Sequence, residues 1–157
     1  MNSRDVEAAA KRLQGNIHNV KVTSSKTFSA MSGCDLFLKS ENRQKTGSFK
    51  VRGAFNKLAR LKEAGSTRPV IASSAGNHAQ GVSYASAQLG MQATIVMPKS
   101  TPIAKVMATR GYGAEVVLAG DNYDECYEEA LRIQQERDAV FIHPFDDEDV
   151  IGGQGTI

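Results

Sequence analysis

Tryptophan is absent from the sequence, cysteine occurs twice, and aromatic residues make up only 6% of the chain. Cys34 and Cys126 are too far apart for a zinc-binding pair and too few for a disulfide framework, so we expect two reduced thiols in a cytoplasmic protein. No apolar run approaches the length of a membrane span, and the charged start of the chain is not expected to be a signal peptide. These absences argue against a disulfide-rich secreted domain and against a membrane protein.

A strong excess of charge of one sign is also missing. Nineteen basic and 17 acidic residues leave a net charge of +2, and the basic residues are scattered along the chain. This distribution predicts neither a nucleic-acid partner nor a membrane surface. His18 and His143 have no partner at the spacing of metal ligands, so we expect no metal site. The 157 residues, 41% of them apolar, suffice for one domain with a core.

Short apolar runs alternate with segments of helical periodicity. The runs are rich in β-branched residues and are bounded by turn formers, which is typical of strands buried on both faces: 70–72, 93–97, 115–118 and 139–142. The segments between them carry apolar residues on one helical face: 55–62, 79–89, 103–107 and 126–133. This alternation predicts an α/β fold with a parallel sheet. Ahead of it we expect a helix and a polar loop in residues 1–20 and a further strand at 35–39.

Turn and cap residues set the expected helix bounds. Gly65, Gly90 and Gly111 are expected to end the first three helices, while Thr101 caps the third and Pro102 takes its first position. Near the C terminus, residues 143–147 are expected to form a turn after a strand, with no role in a site. Residues 152–155 (GGQG) are expected to form a glycine-rich turn that lacks the spacing of a phosphate loop.

A polar turn leads into Lys50 at the start of the first of these helices. We predict Ser48 as the N-cap, which places Lys50 in the first helical turn. The positive end of the helix dipole disfavours an ammonium there, and Schiff-base chemistry requires a neutral amine. Phe49 would offer a flat apolar face to an aromatic cofactor. The alternative, which composition alone favours, is that Lys50 is one solvated lysine among many.

A second segment, Ser74-Ala75-Gly76-Asn77-His78, joins a predicted strand to a predicted helix. Its small side chains let backbone N–H groups approach a ligand, and a helix N-terminus attracts anions, so we expect a carboxylate or phosphate there. Asn77 and His78 would add directional polar groups. The alternative is an ordinary Ser/Asn-rich helix cap.

In this order and spacing, the sequences TGSFKVRGA (46–54) and SSAGNHAQG (73–81) resemble the threonine/serine dehydratase and serine racemase family of fold-type II, tryptophan synthase beta-like pyridoxal-phosphate enzymes. Further similarities run from about residue 20 to the last residue. The resemblance implies a three-layer α/β fold in which residues 1–52 belong to a larger cofactor domain, 53–150 form a smaller domain, and 151–157 begin the return to the larger one.

The resemblance also implies roles for the site residues. Lys50 would carry pyridoxal 5′-phosphate covalently and remove the substrate Cα proton. Phe49 would pack against the cofactor ring, and Asn77 would form a hydrogen bond with the 3′-oxygen of that ring. Residues Ser74, Ala75, Gly76, Asn77 and His78 would hold the substrate carboxylate. The implied reaction is dehydration and deamination of L-threonine or L-serine to a 2-oxo acid and ammonia.

Ala75 distinguishes between reactions within the family. Racemases of this group place a serine immediately before the Gly-Asn pair as a second base, and alanine has no proton to transfer. A dehydratase is therefore favoured over the alternative, a serine racemase-like enzyme. Sulfhydrylase-type relatives show a different motif around the corresponding asparagine and rank lower.

The resemblance covers about half of a family member. The family's phosphate-binding loop lies beyond the stretch that matches Gly152 to Ile157, so we expect a truncated chain with little or no turnover. The full-length form is expected to be a homo-oligomer acting on a small amino acid, and exposed apolar surface on this chain predicts self-association. The alternative from another class is a non-catalytic α/β fragment that binds small anions.

Overall fold

A computed structural model describes residues 2–157, and a four-stranded parallel sheet lies at its centre. The strand order is β5-β4-β3-β6, and the registers align Val70 with both Ala93 and Val140. The strands of the chain are β1 (Val22–Ser24), β2 (Phe37–Lys39), β3 (Val70–Ser73), β4 (Ala93–Met97), β5 (Glu115–Leu118) and β6 (Val140–Phe141). The α/β prediction with a parallel sheet is confirmed.

Within residues 2–157, seven α-helices surround the sheet and precede it. They are α1 (Ser3–Leu13), α2 (Lys26–Ser32), α3 (Lys50–Glu63), α4 (Asn77–Leu89), α5 (Ile103–Gly111), α6 (Tyr123–Glu136) and α7 (Glu148–Gln154), with a 3-10 turn at Glu41–Arg43. All four helices predicted between and before the strands are present. In the N-terminal region α1 and its following loop were predicted, although Met1 lies outside the described residues. The strand β1 and the helix α2 were not predicted.

Helices cover both faces of the sheet. Along β3 the side chains alternate, so Val70 and Ala72 join a core with α3, α4 and α5, whereas Ile71 joins a second core with α6. Both cores are closed by fully buried aliphatic side chains. The result is three layers. The central strands β3 and β4 are buried on both faces, as their continuous apolar runs predict, whereas the edge strand β5 is partly exposed, contrary to the prediction for residues 115–118.

Close backbone contacts hold the helices around α3. A Cβ at Gly81 of α4 would lie 3.2 Å from the carbonyl oxygen of Lys50, and a Cβ at Gly153 of α7 would lie 2.6 Å from that of Arg52. Neither position has room for a side chain without a shift. Glycine at these two positions therefore lets α4 and α7 pack directly against the start of α3.

One predicted helix start and one predicted turn are wrong in detail. Residues 152–155 do not form a turn, because Gly152 and Gly153 lie inside α7, which begins where Asp147 accepts hydrogen bonds from Asp149 N and Val150 N. Pro102 is the N-cap of α5 and Ile103 its first residue. Thr101 does not cap, since its buried Oγ1 has no hydrogen-bond partner within residues 2–157.

None of the helices in residues 2–157 is long and apolar enough to cross a membrane. The same residues bring together no group of three or more acidic, histidine or cysteine side chains that could hold a metal ion.

Candidate active site

Lys50 is the first residue of α3. Its backbone N–H donates to Ser48 Oγ at 3.2 Å, and Phe49 occupies the N-cap position without a side-chain cap. The predicted cap residue therefore lies one position too early, but the prediction that Lys50 sits in the first helical turn is confirmed. The buried contact of the Lys50 carbonyl with Gly81 fixes the backbone from which the side chain projects.

The Lys50 amine reaches a turn 94 residues further along the chain, where its Nζ donates to the carbonyl oxygen of Pro144 at 2.8 Å. This turn follows β6, and the loop 74–76 follows β3, which is the neighbour of β6 in the sheet. Loops at the carboxyl ends of adjacent parallel strands meet at one edge, where α/β proteins bind ligands. Residues 143–147 form the expected turn, but its contact with Lys50 was not foreseen.

Phe49 presents a partly open aromatic face beside the amine. Its ring centroid lies 5.5 Å from Lys50 Nζ, and 38% of the residue is exposed. A half-exposed phenyl ring is available for stacking against a flat ligand.

The loop after β3 is shaped by Ser74. Its N–H donates to the carbonyl of Val96 at 3.1 Å, and its Oγ accepts from Gly76 N at 3.2 Å. The helix α4 begins at Asn77 with no side-chain cap from Gly76. Because the first N–H groups of a helix have no acceptor within it, the start of α4 can accept a carboxylate. The Asn77 residue is exposed at this position.

The His78 side chain does not share this exposed position. The residue is only 4% exposed, and its Nε2 lies 2.9 Å from the carbonyl of Ile142, to which it must donate. Its Nδ1 is buried without a hydrogen-bond partner in the described part of the chain. Burial lowers the pKa of His78 to about 4, so the imidazole is neutral at pH 7. Only the backbone of His78 can face a ligand.

A buried ion pair between Arg52 and Glu41 supports the start of α3. Arg52 donates from Nε and Nη2 to the two carboxylate oxygens of Glu41 at 2.8 and 2.7 Å, and from Nη1 to Thr156 Oγ1 at 3.0 Å. Both side chains of the ion pair are almost completely buried. Sequence reasoning missed this pair, since a charged residue two positions after Lys50 reads as surface in a one-dimensional pattern.

The structure thus brings Lys50, Phe49 and the turn after β6 into direct contact. It places Ser74, Ala75, Gly76 and Asn77 in a loop at the same sheet edge, at the start of α4. The arrangement offers a half-buried amine, a flat apolar face and free helix N–H groups. Such a set can attack a carbonyl carbon and hold an anion nearby.

Comparison with known proteins agrees with this chemistry. The family model described as "Pyridoxal-phosphate dependent enzyme" matches residues 13–157. An L-threonine ammonia-lyase of Thermotoga maritima is 51% identical over 98% of this chain, and a catabolic L-threonine dehydratase of Escherichia coli K12 is 49% identical over 98%.

The fold is shared with solved structures as well. The structure of maize serine racemase, 35% identical, covers 98% of this chain with a TM-score of 0.93. The chain spans 38% and 46% of the two curated relatives and 46% of the maize protein. The family model matches nearly the whole sequence, and the curated relatives are about 50% identical to it. The chain therefore belongs to the pyridoxal-phosphate-dependent enzyme family.

Proposed function

We propose that the protein containing this chain is a pyridoxal 5′-phosphate-dependent ammonia-lyase that converts L-threonine or L-serine to a 2-oxo acid and ammonia. The observation that carries the proposal is the half-buried Lys50 amine at the start of α3, beside the open face of Phe49. The names of the two curated relatives support threonine as a substrate.

The described residues fit the ring and the aldehyde of this cofactor. Lys50 would supply the amine that binds it, Phe49 would stack on its ring, and Asn77 would form a hydrogen bond with its 3′-oxygen. We place the substrate carboxylate on residues 74–78, where Ser74 shapes the loop and the N–H groups at the start of α4 point outward. His78 contributes its backbone to this set, because its imidazole is bonded to Ile142.

The cofactor, when bound, supplies an electron sink that makes the substrate Cα proton acidic. In our proposal Lys50 takes that proton, and the helix start orients the carboxylate so that the Cα–H bond faces the lysine. We further propose that residues 1–52 and 151–157 belong to a larger domain and 53–150 to a smaller one. The remaining length of the relatives leaves room for contacts with the cofactor phosphate.

A racemase is the second candidate, and the close fold match to maize serine racemase favours keeping it. Ala75 argues against it, since racemisation needs a second proton donor on the opposite face of the substrate and alanine has none. In the protein that contains this chain, Ala75→Ser is expected to raise racemisation relative to ammonia release. An unchanged ratio of racemised product to ammonia would show that residue 75 does not decide between the two reactions.

The free thiols Cys34 and Cys126 support a cytoplasmic location. Self-association is supported by exposed apolar side chains in the N-terminal region, which are Val22, Phe28, Met31 and Phe37. Light scattering tests the second part, and a well-behaved monomer would contradict it.

The decisive experiment adds pyridoxal 5′-phosphate and follows the absorption band of the lysine-bound cofactor. The band is expected for the wild type, is lost in Lys50→Ala, and is kept in Lys105→Ala, which removes an exposed lysine of α5. Assays of 2-oxobutanoate from L-threonine and of pyruvate from L-serine then separate cofactor capture from catalysis. A band that survives Lys50→Ala would support the other class of protein, an α/β fragment that binds small anions.

A further inference from the structure

The turn after β6 is folded by one side chain. His143 Nδ1 accepts hydrogen bonds from Asp146 N at 2.7 Å and from Phe145 N at 3.4 Å. Two backbone donors therefore converge on one ring nitrogen, which must carry no proton. Between them and the end of β6, the carbonyl of Pro144 is left free to face the Lys50 amine.

Both ends of this turn are anchored independently of His143. At its start, Ile142 donates its N–H to the carbonyl of Ile71 at 2.8 Å and accepts from His78. At its end, Asp147 caps α7 and pairs with Lys57 at 2.7 Å. The path of the chain between these anchors depends on the His143 acceptor, because the other contacts of its ring are apolar: an edge-on contact with Phe145 and a tilted one with Phe141, with centroid distances of 4.6 and 6.4 Å.

We infer that His143 is a positioning residue that folds this turn so that the Pro144 carbonyl holds the Lys50 amine until it attacks an aldehyde. The inference rests on the proposed role of Lys50 as the attacking amine. Beyond that role, the turn after β6 would hold the amine in place. His143 would act through the turn and not through direct contact with the lysine.

The hydrogen bond has a chemical consequence. A nitrogen attacks a carbonyl carbon with its lone pair, and condensation releases water to leave a C=N bond. An amine that is held by Pro144 must leave this contact before it can reach the aldehyde, so the contact slows attack by an outside reagent. Loosening the turn should make Lys50 more reactive, which is the opposite of what loss of a catalytic group would do.

A matched pair of variants tests this. Asparagine at position 143 places an oxygen acceptor where the histidine Nδ1 lies, whereas leucine places a methyl group of similar size there. Both lose the ring contacts with Phe145 and Phe141, so they differ mainly in the acceptor. The probe is formaldehyde with cyanoborohydride, which supplies the hydride that fixes each C=N bond as a methylated amine. Peptide mass spectrometry then gives a rate for every lysine of the chain.

We expect His143→Leu to cause about fivefold faster methylation of Lys50 than in the wild type, since the hydrogen bond that holds the amine is loosened. His143→Asn should keep the wild-type rate. Equal Lys50 rates in the leucine and asparagine variants would overturn the inference. The rate at Lys57, which is paired with Asp147 beyond the turn, should stay constant in both variants.

A second variant covers the case in which His143→Leu unfolds and exposes Lys57 as well. Pro144→Gly keeps the carbonyl and His143 but frees the backbone of the turn. It should also accelerate Lys50 methylation, and an unchanged rate would count against the inference. Because formaldehyde needs no cofactor pocket, these rates are independent of the absorption band and of turnover. The proposed function and the inference can therefore fail separately.

Discussion

Gly153 and Gly53 lie so close that a Cβ built on Gly153 would come within 2.6 Å of the Gly53 Cα. The two glycines are the point at which α7 crosses α3, three residues after Lys50. This crossing brings the chain that follows the Pro144 turn back onto the lysine-bearing helix.

Gly153→Ala is expected to destabilise the protein by about 1–3 kcal/mol, because the new methyl group meets backbone atoms that cannot rotate away. Urea unfolding followed by circular dichroism measures the loss. Gly111→Ala is the control, since a Cβ at that position of α5 meets nothing within 4 Å. A Gly153→Ala variant as stable as Gly111→Ala would show that the two helices can separate at little cost.

Arg52→Met is expected to cost about 3–5 kcal/mol, because it leaves the Glu41 carboxylate buried without its partner. The matched surface change is Arg137→Met, which breaks an exposed pair with Glu115 and should cost far less. If the double variant Arg52→Met, Glu41→Leu recovers most of the loss, then the cost comes from the stranded charge. No recovery would point to packing of the arginine instead.

Asp147 combines two roles that substitution can separate. Asp147→Asn keeps an acceptor for the N–H groups at the start of α7 but removes the charge that faces Lys57, whereas Asp147→Ala removes both. We expect the alanine variant to be less stable than the asparagine variant by about 1 kcal/mol, the usual worth of a helix cap. Equal stabilities would mean that the cap contributes nothing.

His78 makes stability depend on pH. Burial holds its pKa at about 4 in the folded chain, below its ordinary value of 6.5. Between these two pH values the unfolded chain binds more protons, so the free energy of unfolding falls as the pH drops from 6.5 towards 4. The full effect is about 3 kcal/mol.

Urea unfolding of the wild type and His78→Gln at pH 7 and pH 5 isolates this contribution, because other titrating groups are common to both proteins. The stability difference between the two proteins should shrink at pH 5. A constant difference between wild type and His78→Gln would mean that His78 titrates normally.

Local patterns were sufficient for much of the fold. The continuous apolar run at Val70, Ile71 and Ala72 and the stop at Gly90 are local properties, and the strands and helices predicted from such patterns are present. The short strand β1 and the helix α2 were missed because α2 buries none of its side chains, so no apolar stripe marks it.

The site was predicted in part for the same reason. Lys50 and the loop from Ser74 stand at helix starts, which short motifs reveal. The Pro144 carbonyl is a backbone group and carries no sequence signal, and the buried state of His78 follows from the position of β6 next to β3. Residues 152–155 look like a turn in sequence, but they include the end of α7, where the close approach to α3 makes glycine necessary at position 153.

The long-range contacts of α3 also affect folding during synthesis of the chain. Lys50 meets Pro144 across 94 residues, and Gly53 meets Gln154 across 101. At a synthesis rate of about 5–20 residues per second, the lysine helix waits roughly 5–20 s for the segments that hold it. Closing so long a loop is also entropically costly, which slows folding. During that interval the faces of α3 around Gly53 and Lys50 lack the C-terminal segments that cover them in the folded chain.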